Sequence, residues 1–200
     1  CATDLSAFYF DVLKDRTYCS AASWPARRAA QTVLYRAGRD LCRLLAPIAS
    51  FTTEEAWQQL PGHKVASVFL AGFPEADPQL ADDALEEEFR HLAAFRRVVN
   101  EALEAKRVAK EIGKATEADV VLRVPREPPV LREVAQKYEG QLPDLFLCAT
   151  VRIEPGEALS AEVRRSPHPG CERCWRALAE VSGSPALCRR CRRAVAGEPQ

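Results

Sequence analysis

Four cysteines are spaced for metal chemistry. In "CERCWRALAEVSGSPALCRRC", Cys171 and Cys174 form one Cys-x2-Cys pair and Cys188 and Cys191 form another, thirteen residues apart. Two residues between cysteines let one tight turn aim both sulfurs at a single ion. Two such turns complete a tetrahedral thiolate shell. Four protein ligands leave no open position, so the expected ion is one structural Zn2+. So small a loop lacks the apolar area to fold alone, and metal binding would supply the missing free energy. A pair of redox dithiols is the competing chemistry, but two pairs this close favour a shared metal. His168, three residues before Cys171, is a substitute ligand for which a filled shell has no room.

Arginine crowds these ligands. Arg173, Arg176, Arg189, Arg190, Arg192 and Arg193, with Trp175, are the candidate nucleic-acid contacts. Guanidinium groups grip phosphate through paired N–H donors, and an exposed indole stacks on an unpaired base. The alternatives are a solvated basic surface, and for Trp175 a core plug beneath the metal turn.

Formal net charge is zero, yet the charges are segregated. Glu75–Glu88 holds seven acidic residues and no basic one, whereas Arg164–Arg193 holds eight arginines against two glutamates. The basic stretch is the expected footprint for a polyanion. No catalytic set emerges. There is no glycine-rich phosphate loop, no Gly-x-Ser-x-Gly and no histidine pair at helical spacing, and His63 and His91 stand alone. The carboxylate pairs Glu54-Glu55 and Asp82-Asp83 read as helix caps. Cys19, Cys42 and Cys148 read as buried free thiols. With paired cysteines and no visible secretory signal, they point to a reducing cytoplasm. No apolar run is long enough to span a membrane. The chain has no methionine and starts at Cys1, which suggests a piece of a longer protein.

These residues need elements to carry them. Helical spacing of Leu5, Phe8, Tyr9 and Val12 predicts a helix over 4–19 capped by Asp4. A second helix runs from Pro25 towards Pro47. Its apolar stripe is Ala30, Val33, Leu34, Ala37, Leu41, Leu44, Leu45 and Ile48. A short helix starts on a Thr52–Glu55 capping box and stops at Pro61-Gly62. "VASVFLAGFP" reads as an extended strap. A long helix spans about 82–112, its acidic start and basic end matching the dipole, with Leu85, Phe89, Leu92, Val99 and Leu103 on one face and Gly113 past its end. The period then changes. "ADVVLRVP", "LFLCATVRI" and "LSAEVRRS" read as strands, with "PVLREVAQKYEG" a helix between the first two, and "SPHPG" hinges into the cysteine segment. The expected architecture is mainly α: a helical bundle over 1–115, a small α/β unit over 116–165, and a four-cysteine zinc ribbon or knuckle over 166–200.

"DLSAFYFDVLKDRTY", "APIASFTTEEAWQQLPG", "EAKRVAKEIGKATEADVVL" and "CERCWRALAE…LCRRC" resemble successive segments of bacterial isoleucyl-tRNA synthetases, ending in that family's zinc peptide. The resemblance implies a class I enzyme that joins isoleucine to its tRNA through an aminoacyl-adenylate, using ATP. It makes 1–115 an anticodon-binding type of bundle and maps the family's zinc ligands onto Cys171, Cys174, Cys188 and Cys191. The family's His-Ile-Gly-His and Lys-Met-Ser-Lys-Ser signatures belong to its Rossmann catalytic domain and do not occur in these 200 residues. No catalytic residue is therefore assigned. The implied partners are isoleucine-specific tRNA and the remainder of its own synthetase chain, for a cytoplasmic monomer without membrane contact. The alternatives are a free-standing zinc-finger nucleic-acid module and a zinc-stabilised interaction scaffold. These 200 residues alone should neither activate isoleucine nor charge tRNA. Isoleucine-dependent ATP–pyrophosphate exchange above a blank would refute that.

Overall fold

The computed structural model describes residues 2–62 and 65–199. The cap expected of the Asp4 side chain and the surface position expected of His63 lie outside the described residues. A π-type helical stretch, Ala2–Phe10, runs into α1 (Asp11–Cys19). There follow α2 (Pro25–Leu45), α3 (Ser50–Gln59), α4 (Asp83–Val108), β1 (Ala118–Pro125), α5 (Pro129–Lys137), α6 (Leu142–Phe146), β2 (Thr150–Gly156), β3 (Ser160–Arg165) and α7 (Arg189–Ala196). The expected class holds: mainly α, with a small mixed sheet and a buried four-cysteine cluster. Contacts divide the chain into two compact units, Cys1–Ala21 with Asp82–Gln200, and Ala22–Ala81.

In the Ala22–Ala81 unit, α2 opens with Pro25 at its first position, where a missing N–H costs nothing. Cys42, Ala46, Trp57 and Val68 form its core. The expected capping box is absent. The chain leaves α2 already turning, and α3 begins at Ser50, so Thr52 lies inside the helix and the Ala49 carbonyl takes the Thr53 amide at 2.9 Å. Glu54 is accordingly not a cap. Its carboxylate accepts from Ser67 Oγ and the Val68 amide, both at 2.9 Å, and ties the strap down. Trp57 Nε1 donates to the Val65 carbonyl, and Arg43 donates to the carbonyls of Ala71, Gly72 and Phe73. The strap is thus held by polar contacts, with a short 3-10 turn at Val68–Leu70. Val33, Leu44, Leu45 and Ile48 of the predicted stripe stay exposed.

In the larger unit, Asp82 caps α4 as predicted, accepting from the Leu85 amide at 2.9 Å. The helix stops at Val108, four residues short of expectation. Lys110, at φ 58°, takes the left-handed position that Gly113 was expected to supply. The Lys110 amide then bonds Arg107 O and the Glu111 amide bonds Lys106 O, which satisfies the last carbonyls. Leu92, Phe95, Val99 and Leu103 of α4 are buried in one core with Val120, Leu122, Leu142 and Phe146. The sheet order is β2-β1-β3, with β2 parallel and β3 antiparallel to β1. Burial alternates strictly along β1.

The expected strand over 145–153 is half wrong. Leu142 and Phe146 are buried four residues apart, a helical interval, so this stretch forms α6. Leu147, at φ 57°, reverses the chain, and β2 starts only at Thr150.

Phe95 is 0% exposed and Phe51 93% exposed. Phe95→Ala should cost about 3–5 kcal/mol and Phe51→Ala less than about 0.5 kcal/mol, read as denaturant midpoints at constant m-value. Equal shifts would mean this core is misplaced.

Candidate metal centre and nucleic-acid surface

The four cysteines meet. Their sulfurs all lie within 4.8 Å of one another, and all four residues are buried. Cys171 and Cys174 sit on a turn closed by the Trp175 amide, which donates to Cys171 O at 2.8 Å. Trp175 itself adopts φ 64°, which completes the reversal. Cys188 caps α7, so the second pair is presented by a helix N-terminus whose dipole favours a thiolate. Two further donors point inward: the Cys188 amide to Cys171 Sγ at 3.4 Å, and the Cys191 amide to Cys188 Sγ at 3.5 Å.

These dimensions suit a tetrahedral thiolate site. Metal–sulfur bonds of ~2.3 Å place neighbouring sulfurs about 3.8 Å apart, and Cys174 Sγ lies 3.8 Å from Cys188 Sγ. All four thiols are free. The Cys174 and Cys191 thiols hydrogen-bond Cys188 and hold it far below the ordinary thiol range, to about 3. Hydrogen bonds to Cys174 and Cys188, then burial and the neighbouring charge, push Cys191 up. His168 is exposed and takes no part. Val181 and Leu187 complete a small apolar shell around the sulfurs.

Cys19 also packs in this shell, although nothing in its local sequence announces it. Burial, then the nearby Asp15 charge, push its thiol up to about 11. Cys148 is pushed up by burial to about 12. With Cys42 these are the buried free thiols expected.

The arginines are mostly engaged within the protein. Arg173 donates to the Cys19 and Tyr18 carbonyls. Arg176, its side chain 12% exposed, pairs with Asp144 of α6 at 2.6 Å. Arg190 holds Asp15 of α1 through both terminal nitrogens, one at 2.7 Å. Burial alone would raise the Asp15 pKa, but the Arg190 hydrogen bonds and charge, with help from Arg176, hold it below the usual carboxylate range. Arg192 ties together Ser182, Leu187 and Glu180. Arg193 bonds the Pro199 carbonyl and lies 3.5 Å from Glu198. Arg189 alone among the six makes no hydrogen bond or ion pair with the described residues, and it is exposed. Sequence reading missed Asp15 and Asp144, because both partners are remote along the chain and carry no local signal.

Trp175 is 63% exposed, so the plug alternative fails. Lys114 Nζ lies 5.1 Å from its ring centroid. The knuckle is also pinned to the sheet. The Ala177 amide donates to Thr116 O at 3.0 Å, and the Ser166 amide donates to Glu117 O at 2.8 Å. Among the described residues no helix is long and apolar enough to cross a membrane.

Residues 1–122 match the family model described as the anticodon-binding domain of tRNA ligase. Over 98% of its length the chain is 42% identical to isoleucine–tRNA ligase 2 of Burkholderia mallei, covering 20% of that protein. It is 42% identical to the isoleucine–tRNA ligase of Dichelobacter nodosus (96% of this chain, 21% of that one). To the isoleucine–tRNA ligase of Desulforudis audaxviator it is 41% identical (98% and 23%). The chain thus spans about a fifth of the length of these relatives.

Metal-replete protein should carry one zinc per chain by elemental analysis, with four thiols shielded from titration. Cys188→Ser should lower zinc retention and loosen residues 166–200, while the Trp57 core of the other unit stays folded. Less than half an equivalent of zinc, with all thiols titrating, would sink the assignment.

Proposed function

The chain belongs to the anticodon-binding-domain family of tRNA ligases, and on that premise we propose that it is the tRNA-binding, C-terminal portion of an isoleucine–tRNA ligase. The observation that carries this is the extent of the similarity. It covers 98% of the chain, so the cysteine knuckle lies inside it and not beyond it. In this reading 1–115 binds the anticodon arm, 116–165 is a junction, and 166–200 is a zinc-bearing contact to the same tRNA. ATP-dependent ligation is performed by the remainder of the polypeptide. Binding energy gathered here positions the acceptor end at that remote centre. The protein works as a monomer in the cytoplasm, on isoleucine-specific tRNA.

The metal is one structural Zn2+ held by Cys171, Cys174, Cys188 and Cys191. Its contribution is shape, since four thiolates leave no position for a substrate. The RNA-contacting set is Arg173, Trp175, Arg176, Arg189, Arg190, Arg192 and Arg193, in unequal roles. Arg189 is free to meet a phosphate at the start of α7. Trp175 presents a ring held out by its backbone turn. The others spend donors inside the protein and reach RNA only with those that remain, from five per guanidinium.

The test is binding of isoleucine tRNA across a salt series, with zinc content checked for each variant. Arg189→Ala should weaken binding and flatten the log–log salt slope by about one unit. Trp175→Ala should cost about 1–3 kcal/mol with the slope unchanged. Unchanged affinity and slope in both variants, zinc intact, would reduce the knuckle to scaffold. Equal affinity for unrelated tRNAs would count against isoleucine specificity.

A further inference from the structure

Three arginines lie inside the metal-binding pairs; Arg189 faces outward, and the other two turn back into the protein. Arg173 stands between Cys171 and Cys174, and Arg190 between Cys188 and Cys191. A residue so placed moves when its flanking ligands move. Both reach the same element. Arg173 donates to the carbonyls of Tyr18 and Cys19, in the last turn of α1, where helix carbonyls have no partner of their own. Arg190 holds Asp15 one turn earlier. Cys19 Sγ in turn donates to the Arg173 carbonyl at 3.6 Å and packs among the ligand sulfurs.

α1 has little else at this end. Of its nine residues only Leu13 and Cys19 are buried, so its own apolar packing holds it weakly. Its opposite end is held separately, by Arg96 of α4 on Asp11 at 3.3 Å. We propose that metal occupancy of the four-cysteine site governs the seating of the C-terminal half of α1, with Arg173 and Arg190 as the positioning residues that transmit it. With the ion in place, two turns hold the guanidinium groups at fixed positions and 15–19 is docked. Without it, the two turns are joined at the sulfurs only by weak contacts such as Cys174 Sγ to Cys188 Sγ at 3.8 Å, which do not fix them. The arginines then lose their register with Asp15 and the helix end, and residues 15–19 come free while Asp11 stays on Arg96. The metal thereby acts on a helix near the start of the chain, far from its ligands in sequence.

This rests on the reading that the site holds zinc, and the test separates the two. Amide hydrogen exchange of the 200-residue chain is read on peptides covering 11–19 and 118–125, zinc-loaded and after chelation, with zinc measured in each sample. Amides of 15–19 should exchange about tenfold faster or more after chelation, with Cys19 alkylated faster, while β1 keeps its rate. Asp15→Ala should give the same acceleration with zinc still bound. Alanine is the better helix former, so a loss of protection there reports the lost pair. If chelation opens β1 as well, Asp15→Ala decides: acceleration confined to 15–19 supports the proposal, and none overturns it. A chain that binds zinc yet exchanges equally at 15–19 with and without it overturns the coupling alone. A chain that takes up no zinc overturns the metal reading and the coupling together.

Discussion

Four sulfurs within 4.8 Å of one another set a condition on everything that follows Ser166. Brought together in a buried site, they cannot all ionise beside one another, and left as thiols they offer each other only weak hydrogen bonds. The condition shows in the opposite displacements of Cys188 and Cys191. A divalent cation bound by the four would remove it, in a segment whose buried apolar shell is little more than Val181 and Leu187. The turn at Trp175 and the start of α7 both carry ligands of that cluster.

The arginines of that segment explain why net charge is a poor guide to a binding face. Eight arginines between Arg164 and Arg193 look like a platform for a polyanion. Asp15, Asp144, Glu198 and a set of backbone carbonyls answer most of that charge from inside the protein. A half-buried pair such as Arg190–Asp15 specifies which surfaces meet more than it adds stability, because desolvation offsets much of its attraction. What faces outward is narrower: Arg189, the Trp175 ring and Lys114 beside it, with Arg164 and Arg165 on the sheet edge exposed but next to Glu162 and Glu117.

Legibility followed the range of the interaction. The metal ligands, the Asp82 cap, the strand at β1 and the helix at α5 were readable because each depends on neighbours within a few residues. The helical α6 was misread as strand because "LFLCATV" is apolar throughout, and only the burial of Leu142 and Phe146 on one side reveals its period. The end of α4 was misplaced because Gly113 is the obvious left-handed residue, whereas Lys110 accepts that conformation in exchange for two satisfied carbonyls. The stripe of α4 was visible, but not that it would share a core with β1 and α6. At the site, the ligands were legible and the destinations of the arginines were not. A guanidinium finds its carboxylate in space, and no pattern in the chain records it.

The Arg190–Asp15 pair joins residues 175 positions apart. Between them the chain lays down the whole Ala22–Ala81 unit, α4 and the sheet. At about 5–20 residues per second of synthesis, the partner of Asp15 emerges about 9–35 seconds after it. Throughout that interval Asp15 lacks its arginine, although Arg96 of α4 reaches Asp11 sooner. The two ends of α1 are therefore fastened at different times during synthesis: Asp11 once α4 has been made, and Asp15 only once α7 has followed.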